Sequence, residues 1–299
     1  MKTLFLIMAL ILTMATAALA ESLLIVQSSH SRVADAAVAG FRSACNLESR
    51  TLILSDYAKV DLPRIVREEQ PDLVLTVGEN AYIAARKVRT VPVIAILSLS
   101  LSADRKSPAN ITGVDVRVPS ANYLKLFAAL GAKRVGVVYR PDQNGAYLQA
   151  ARSAATKQGI TLLIHPADTP RDAILKLRDL KGHADALWLI PDSVTLAAPA
   201  QDALFLHSLE QKEPVVGFLR ENLKHGAAVV LASDWQKMGR QAGEAANRLL
   251  DGSSPQEFRP QYTHNFAMLK NDNVLRVLGL NSPALDRLFP QQTEALPGR

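Results

Sequence analysis

The stretch PSANYLKLFAALGAKRVGVVY, residues 119–139, contains a helix pattern followed directly by a strand pattern. Pro119-Ser120 is a typical helix start and Gly131 is a typical helix stop. Between them, apolar side chains recur at helical spacing: Tyr123, Leu124, Phe127 and Leu130. Residues 134–139 then form a nearly continuous apolar run, which is typical of a strand buried on both faces of a parallel sheet. This stretch therefore predicts an α/β fold.

The same alternation extends in both directions along the chain. Further apolar runs bring the predicted strands to nine: 23–27, 50–55, 73–77, 91–97, 134–139, 161–165, 186–190, 215–219 and 227–232. Helical stripes lie between several of them: Val33, Ala36, Ala37, Gly40 and Phe41; Ala173, Ile174 and Leu177; Met238, Ala242, Ala245 and Leu249. Strands that alternate with helices predict right-handed βαβ units in open, doubly wound parallel sheets.

A pause in this pattern at residues 112–119 separates the two halves of the chain. The pause favours two Rossmann-like lobes, each with its own sheet, over one large sheet. A closed β/α barrel is the alternative fold, because about eight βα units can also close into a ring. The uneven spacing around residues 98–133 argues against the barrel.

Length and composition fit a two-lobed protein. The 299 residues are 48% hydrophobic and 21% charged, which excludes disordered, collagen-like and coiled-coil chains and leaves room for two cores. The single cysteine, Cys45, excludes an intrachain disulfide framework, and a buried, unreactive thiol is expected there. Basic residues are scattered despite the formal net charge of +6, so no nucleic-acid partner is expected.

The first twenty residues have the pattern of a secretory signal peptide. A basic Met1-Lys2 start precedes an apolar run at 4–11, and the segment ends in the small-residue sequence Ala18-Leu19-Ala20. We expect cleavage after Ala20 and export to the periplasm. The alternative is an uncleaved membrane anchor.

Polar side chains follow the predicted strands, at the edge of the sheet where ligands bind in open α/β folds. The predicted ligand-binding residues are Ser28, Ser29, Gly78, Glu79, Asn80, Ser98, Tyr139, Asn144, Asp192, Phe218, Arg220 and Asp234. Helix capping is an equal alternative for Glu79, Asn80 and Asp192. If they face a ligand, Asp192 suits an ammonium group and Arg220 suits a carboxylate.

Catalytic motifs are absent from the sequence. It contains no P-loop, GxGxxG, GxSxG or HExxH pattern, and no two of its six histidines are spaced at i, i+3 or i+4. We therefore predict no catalytic residue, no metal site and no cofactor. A periplasmic α/β enzyme working with Glu79 and Asp192 remains the alternative from a different class.

Several segments, in their order and spacing, resemble a known family. They are LLIVQ (23–27), GENA (78–81), VPVI (91–94), KRVGVVY (133–139), ADALWLIPD (184–192), PVVGF (214–218), GAA (226–228) and the stretch 239–252. In these segments the chain resembles the type I periplasmic substrate-binding proteins of ABC transporters, in the branch whose characterised members bind tryptophan, tyrosine and similar small molecules.

The resemblance implies two lobes joined by three crossovers, near residues 117–119, 233–236 and 258–263. The first lobe would span 21–117 with 236–262 returning to it, and the second 118–235 with 263–290 packing on it, followed by a tail at 291–299. It also implies that a small organic ligand, an amino acid or a related compound, binds between the lobes and drives hinge closure. The implied partner is an ABC permease in the inner membrane, and the implied state is a monomer.

One loop departs from the family pattern. Family members commonly carry Asp-Pro shortly after the fourth strand, where this sequence has Ser98-Leu99-Ser100-Leu101-Ser102. This departure leaves open a binding protein that serves a membrane sensor or receptor instead of a transporter.

Overall fold

The computed structural model describes residues 21–103, 108–257, 260–280 and 282–289. The predicted signal peptide at 1–20 and the predicted tail at 291–299 lie outside the described residues. Within the described ranges, no helix is both long and apolar enough to cross a membrane.

Among the described residues, the first sheet has six parallel strands; numbered along the chain, they lie in the order β11-β5-β4-β3-β1-β2. Its strands are β1 Ser22–Gln27, β2 Glu48–Ile53, β3 Leu73–Val77, β4 Val93–Ile96, β5 Ile111–Asp115 and β11 Gln261–Tyr262. Strands β3, β4 and β5 are buried along their whole length, because helices cover both faces of this sheet.

The second sheet also has six strands, in the order β12-β10-β9-β8-β6-β7. Its strands are β6 Arg134–Tyr139, β7 Thr161–Pro166, β8 Ala186–Trp188, β9 Val215–Gly217, β10 Val229–Ser233 and β12 Phe266–Lys270. All neighbours run parallel except the edge strand β12, which pairs antiparallel with β10.

Helices connect the strands and cover both sheets. They are α1 Arg32–Ala44, α2 Leu62–Glu69, α3 Glu79–Ala85, α4 Ser120–Ala129, α5 Pro141–Thr156, α6 Pro170–Asp179, α7 Ala198–Gln211, α8 Arg220–Lys224, α9 Trp235–Leu250, α10 Asp272–Val277 and α11 Ser282–Asp286. Side-chain caps start several of them, as at α6, where the Thr169 hydroxyl accepts a hydrogen bond from the Asp172 amide at 3.1 Å. We call the first sheet with α1, α2, α3 and α9 the first lobe, and the second sheet with the remaining helices the second lobe.

Helix α9 returns to the first lobe because small residues let it approach α1 closely. A Cβ atom at Gly239 would lie 1.8 Å from the Ala37 carbonyl oxygen, and one at Gly243 would lie 2.6 Å from the Phe41 oxygen. Glycine is therefore required at this helix crossing. The buried apolar face of α9, including Met238 and Ala242, completes the core on this side of the first sheet.

The chain passes between the lobes at three places. It leaves the first sheet after β5, returns after β10 at the start of α9, and crosses again between β11 and β12. The predicted two-lobed, doubly wound fold is confirmed, and the barrel alternative is wrong because both sheets are open. The predicted assignment of chain segments to the lobes stays a prediction.

The predicted pause at residues 112–119 is corrected by the structure, which has strand β5 at Ile111–Asp115. Thr112 and Gly113 interrupt the apolar run there and conceal the strand pattern. Gly113 lies so close to β4 that a Cβ atom would come within 1.9 Å of the Ala95 carbonyl oxygen, so no side chain fits at that position. Strands β11 and β12 were also missing from the prediction, and Val33 of the first helical stripe is 38% exposed.

Candidate ligand-binding cleft

At the carboxyl ends of β1 and β3, two short turns contact each other. The Ser28 hydroxyl accepts a hydrogen bond from the Ala81 amide at 3.0 Å, in the first turn of α3. Gly78 precedes that helix with φ +96°, and a Cβ atom there would lie 2.6 Å from the Ser28 Oγ. The turn therefore requires glycine both for its backbone conformation and for the space that Ser28 occupies.

Glu79, the first residue of α3, binds the loop that follows β4. Its carboxylate accepts hydrogen bonds from the Ser98 hydroxyl at 2.8 Å and from the amides of Leu99 at 2.8 Å and Ser100 at 3.3 Å. The Ser100 hydroxyl donates a further bond to it. Leu97 before this loop has φ +58°, an unfavourable conformation for a leucine, and these bonds hold it in place. The half-buried Glu79 thus orders the loop of residues 98–100.

Asp192 follows β8 in the second lobe and is completely buried. Its two oxygens accept four hydrogen bonds, from the amides of Arg140 (2.6 Å), Val194 (2.9 Å) and Thr195 (3.1 Å) and from the Asn144 side chain (2.8 Å). Asn144 is also completely buried. The structure therefore does not place the side chains of these two predicted ligand-binding residues on the surface of the cleft, because each is bonded within the protein.

Arg117 lies on the first crossing between the lobes and is 1% exposed. Its guanidinium donates to four oxygen atoms: Asp115 Oδ2 at 2.5 Å, Leu99 O at 2.7 Å, Asn144 Oδ1 at 2.8 Å and Gln143 O at 2.8 Å. Two of these acceptors belong to each lobe. Arg117 was not among the predicted ligand-binding residues, because a single arginine two residues after Asp115 does not reveal a buried ion pair.

A cavity of about 460 Å³ lies where the second and third crossings meet the ends of β9 and β10. Three predicted residues line it, Phe218, Arg220 and Asp234. The other lining residues are Ala36, Leu219, Glu221, Ala232, Ser233, Trp235, Gln236, Lys237, Asn265, Phe266 and Ala267. Because Ala36 belongs to α1 and Phe218 follows β9, both lobes contribute to the wall.

The charged groups of this cavity partly neutralise each other. Asp234 caps α9, accepting a hydrogen bond from the Lys237 amide at 3.0 Å, and its carboxylate lies 3.4 Å from the Lys237 ammonium. Arg220 is exposed at the start of α8, next to the exposed Glu221. With the aromatic ring of Trp235, the cavity offers an apolar wall together with groups of both charges.

The predicted site residues therefore fall into separate groups. Ser28, Gly78 and Glu79 form the connected turns of the first lobe, with Ser29 and Asn80 exposed beside them. Ser98 is bonded to Glu79 but is completely buried, so its predicted place on the ligand-binding surface is not what the structure shows. Asn144 and Asp192 lie inside the second lobe, and Phe218, Arg220 and Asp234 line the cavity. Tyr139 is half-buried against the core of the second lobe.

Comparisons with known proteins assign the family. The family model described as "ABC transporter substrate binding protein" matches residues 56–286, well over half of the chain. The protein therefore belongs to this family, and the resemblance predicted from the sequence is confirmed.

A curated relative is the "Tyrosine-binding protein" of Clostridioides difficile strain R20291, 23% identical over 234 residues. The alignment covers 74% of this chain and 66% of the relative, slightly less than two thirds of its length.

Solved structures share the fold at low sequence identity. A Streptococcus pneumoniae ABC domain in complex with L-Trp has a TM-score of 0.67 at 17% identity, covering 93% of this chain and 100% of that one. The ligand-free, open structure of a substrate binding protein with adhesive properties from Clostridium difficile has a TM-score of 0.65 at 19% identity, with the same coverage. A LacI family transcriptional regulator from Bifidobacterium animalis is more distant, with a TM-score of 0.55 at 13% identity over 83% of this chain and 95% of that one.

Proposed function

We propose that this protein is the exported solute-binding component of an ABC importer and that it closes on a small organic ligand, an amino acid or a related compound. The observation that carries the proposal is the cavity to which both lobes contribute residues, in a chain of the ABC substrate-binding family. A ligand that contacts both lobes binds the closed form better than the open form, and this difference in affinity drives closure.

The chemistry of the cavity supports an amphipathic ligand. Its volume of about 460 Å³ lies within the usual range for small-molecule sites. Arg220 suits a carboxylate, Asp234 suits an ammonium group, and Trp235 offers a flat apolar surface. The curated relative is named for tyrosine and one structural neighbour contains L-Trp, so aromatic amino acids are the first candidates.

The wider assignment belongs to the same proposal. We expect the exposed Ser29 and Asn80 of the first lobe to contribute to the opposing wall when the lobes close. Cleavage after Ala20, a periplasmic location, an inner-membrane permease as partner and a monomeric state complete it.

Thermal shift measurements test the proposal directly. The chain from Glu21 onward is mixed with each of the common L-amino acids and their simple derivatives, and a ligand that binds the folded state raises the melting temperature. Small-angle scattering on the same mixtures is expected to show compaction without chemical turnover. If no compound raises the melting temperature, an amino-acid ligand is contradicted. The alternative of a binding protein that serves a membrane sensor or receptor is then favoured.

A pair of variants locates the binding site. We expect Arg220→Ala to weaken binding of an active compound by about 1–3 kcal/mol, because the carboxylate loses a charged hydrogen-bond partner. Arg64→Ala is the matched control, because Arg64 forms an exposed pair with Glu68 on α2. Equal affinity in both variants contradicts the cavity as the ligand site.

The geometry does not favour the alternative of an enzyme that works with Glu79 and Asp192. Both carboxylates already accept four hydrogen bonds from other residues of their own lobes. A general base needs a free lone pair within reach of the substrate. Turnover of a bound compound that is lost in Glu79→Gln would overturn this assignment.

A further inference from the structure

A continuous chain of hydrogen bonds crosses the molecule from one lobe to the other. Glu79 accepts from the Leu99 amide at 2.8 Å, and the Leu99 carbonyl accepts from Arg117 at 2.7 Å. Arg117 then donates to Asn144 at 2.8 Å, and Asn144 donates to Asp192 at 2.8 Å. This series of hydrogen bonds starts at Glu79 and the loop of residues 98–100 in the first lobe and ends at Asp192 inside the second lobe.

The first crossing is fixed to the second lobe on both sides of Arg117. The Ser233 hydroxyl donates to the Val116 carbonyl at 3.4 Å, and the Tyr147 hydroxyl donates to the Val118 carbonyl at 2.8 Å. The guanidinium carbon of Arg117 lies 5.7 Å from the centroid of the Tyr147 ring. These contacts hold the crossing segment to the second lobe, so that it moves with α5.

We propose that Arg117 is the positioning residue that sets the angle between the lobes, by holding the loop of residues 98–100 to the start of α5. A planar guanidinium has five donors in fixed directions and can bind acceptors of both lobes at once. Rotation of the lobes moves Leu99 O, in the first lobe, away from Gln143 O, in the second. At least one hydrogen bond of Arg117 must then break, so the network stabilises one angle between the lobes relative to all others.

The physiological use of this angle rests on the proposed binding function, whereas the network itself is tested without a ligand. Nitroxide labels are attached to cysteines at Ile83 in the first lobe and Leu209 in the second, which are 48% and 76% exposed. The native Cys45 is 1% exposed and is replaced by serine in a second preparation to exclude background labelling. Pulsed electron resonance then measures the distribution of distances between the labels in the ligand-free protein.

Arg117→Lys is the principal variant. A lysine retains the charge beside Asp115 but has three donors on one atom and cannot reach all four acceptors. We expect the distance distribution to become about twofold wider, or its centre to shift. The matched control Arg64→Lys changes an exposed pair on α2 and is expected to match the wild type. An unchanged distribution in Arg117→Lys overturns the proposal.

A variant at Glu79, the other end of the series of hydrogen bonds, keeps the proposal falsifiable if Arg117→Lys does not fold. Glu79→Gln turns one acceptor oxygen into a donor facing Ser98 and Ser100, and it is expected to loosen their loop. If the series of hydrogen bonds transmits this change, amide hydrogen exchange at Asn144 and Tyr147 in the second lobe becomes about threefold faster or more. The control Glu68→Gln leaves those amides unchanged. Exchange confined to the first lobe in Glu79→Gln overturns the coupling, even if an amino-acid ligand is found.

Discussion

Glu79 and Asp192 are acidic residues in comparable positions, each at the carboxyl end of a parallel strand, one in each lobe. Glu79 is half-buried and binds the loop of residues 98–100, whereas Asp192 is completely buried and binds groups of its own lobe. Both accept four hydrogen bonds, so the number of partners does not distinguish them. The difference lies in water access, because a half-buried carboxylate can exchange its partners for water and a buried one cannot.

The comparison shows that an acidic residue at a strand end does not by itself indicate ligand contact. In the second lobe, Asn144 covers Asp192 and closes it off. In the first lobe, the hydroxyl of the buried Ser98 and that of the half-buried Ser100 both donate to Glu79, which itself stays half-buried. Water can therefore reach part of the Glu79 carboxylate, but not the Asp192 carboxylate.

Asp192→Ala gives the largest expected effect. Removal of the carboxylate leaves three backbone amides without their acceptor and leaves the Asn144 amide group with the Pro191 carbonyl alone. The free energy of unfolding is expected to fall by about 3–5 kcal/mol. Urea unfolding followed by circular dichroism measures the change. A loss below about 1 kcal/mol would show that water reaches this site.

Glu213 extends the comparison to a buried acid whose Oε2 accepts no hydrogen bond from the described residues. It precedes β9, and burial raises the pKa of its carboxyl from 4.5 to about 7. The His207 Nε2 lies 3.3 Å from the Glu213 Oε2, and burial lowers the pKa of that ring, which weakens it as a countercharge. The folded protein therefore binds a proton at Glu213 more tightly than the unfolded chain does.

This shift predicts a pH-dependent effect of Glu213→Gln. The contribution of the protonated carboxyl to stability is complete below pH 4.5 and is lost as the pH rises through about 7. Relative to wild type, the glutamine variant is expected to gain about 2 kcal/mol in free energy of unfolding between the two ends of this range. Urea titrations at the low and the high end of this pH range measure the difference in free energy of unfolding between Glu213→Gln and wild type. A difference that does not change with pH contradicts the raised pKa of Glu213.

Glu79→Ala is expected to have a smaller effect than Asp192→Ala. The free energy of unfolding should fall by about 1–2 kcal/mol, because water can replace the lost acceptor at a half-buried site. The same urea titration checks this, with Glu68→Ala on the exposed face of α2 as control. A loss as large as that of Asp192→Ala would remove the distinction between the two lobes.

Gly78→Ala tests the turn that places Glu79. Alanine is strained at φ +96° and meets Ser28 Oγ at 2.6 Å, whereas Gly131, at φ +75°, has open space around the new methyl group. We therefore expect Gly78→Ala to cost about 1 kcal/mol more in free energy of unfolding than Gly131→Ala. Equal losses in thermal or urea unfolding would show that Ser28 moves aside freely.

The sequence was most informative where one periodic signal extends over a whole element. Runs such as residues 73–77 and 134–139 match strands β3 and β6 residue for residue, because a strand covered on both faces is mostly apolar along its buried length. Strand β5 was missed because Gly113, which the packing against β4 requires, interrupts its pattern. Strand β11 was missed because two residues are too short a segment to carry a period.

The site could be predicted only to the level of the strand ends. Their polar residues were found because the edge where ligands bind follows from the βαβ order. The sequence did not show that Glu79, Asp192 and the cavity at Arg220 are three separate places in the molecule. Their separation depends on tertiary packing, which decides which side chains are covered by others. Arg117 gave no periodic or motif signal.

By itself, the sequence determined the two α/β lobes and the edge of each sheet where a ligand can bind, because these follow from local periodicity and chain order. The family was recognised from the resemblance of several segments to known members. The tertiary structure decided which polar groups line the cavity and which form hydrogen bonds inside the protein. It also brought Leu99, Arg117 and Asn144 into one network across the lobes. Burial and hydrogen-bond partners depend on residues distant in the chain, and no local pattern encodes them.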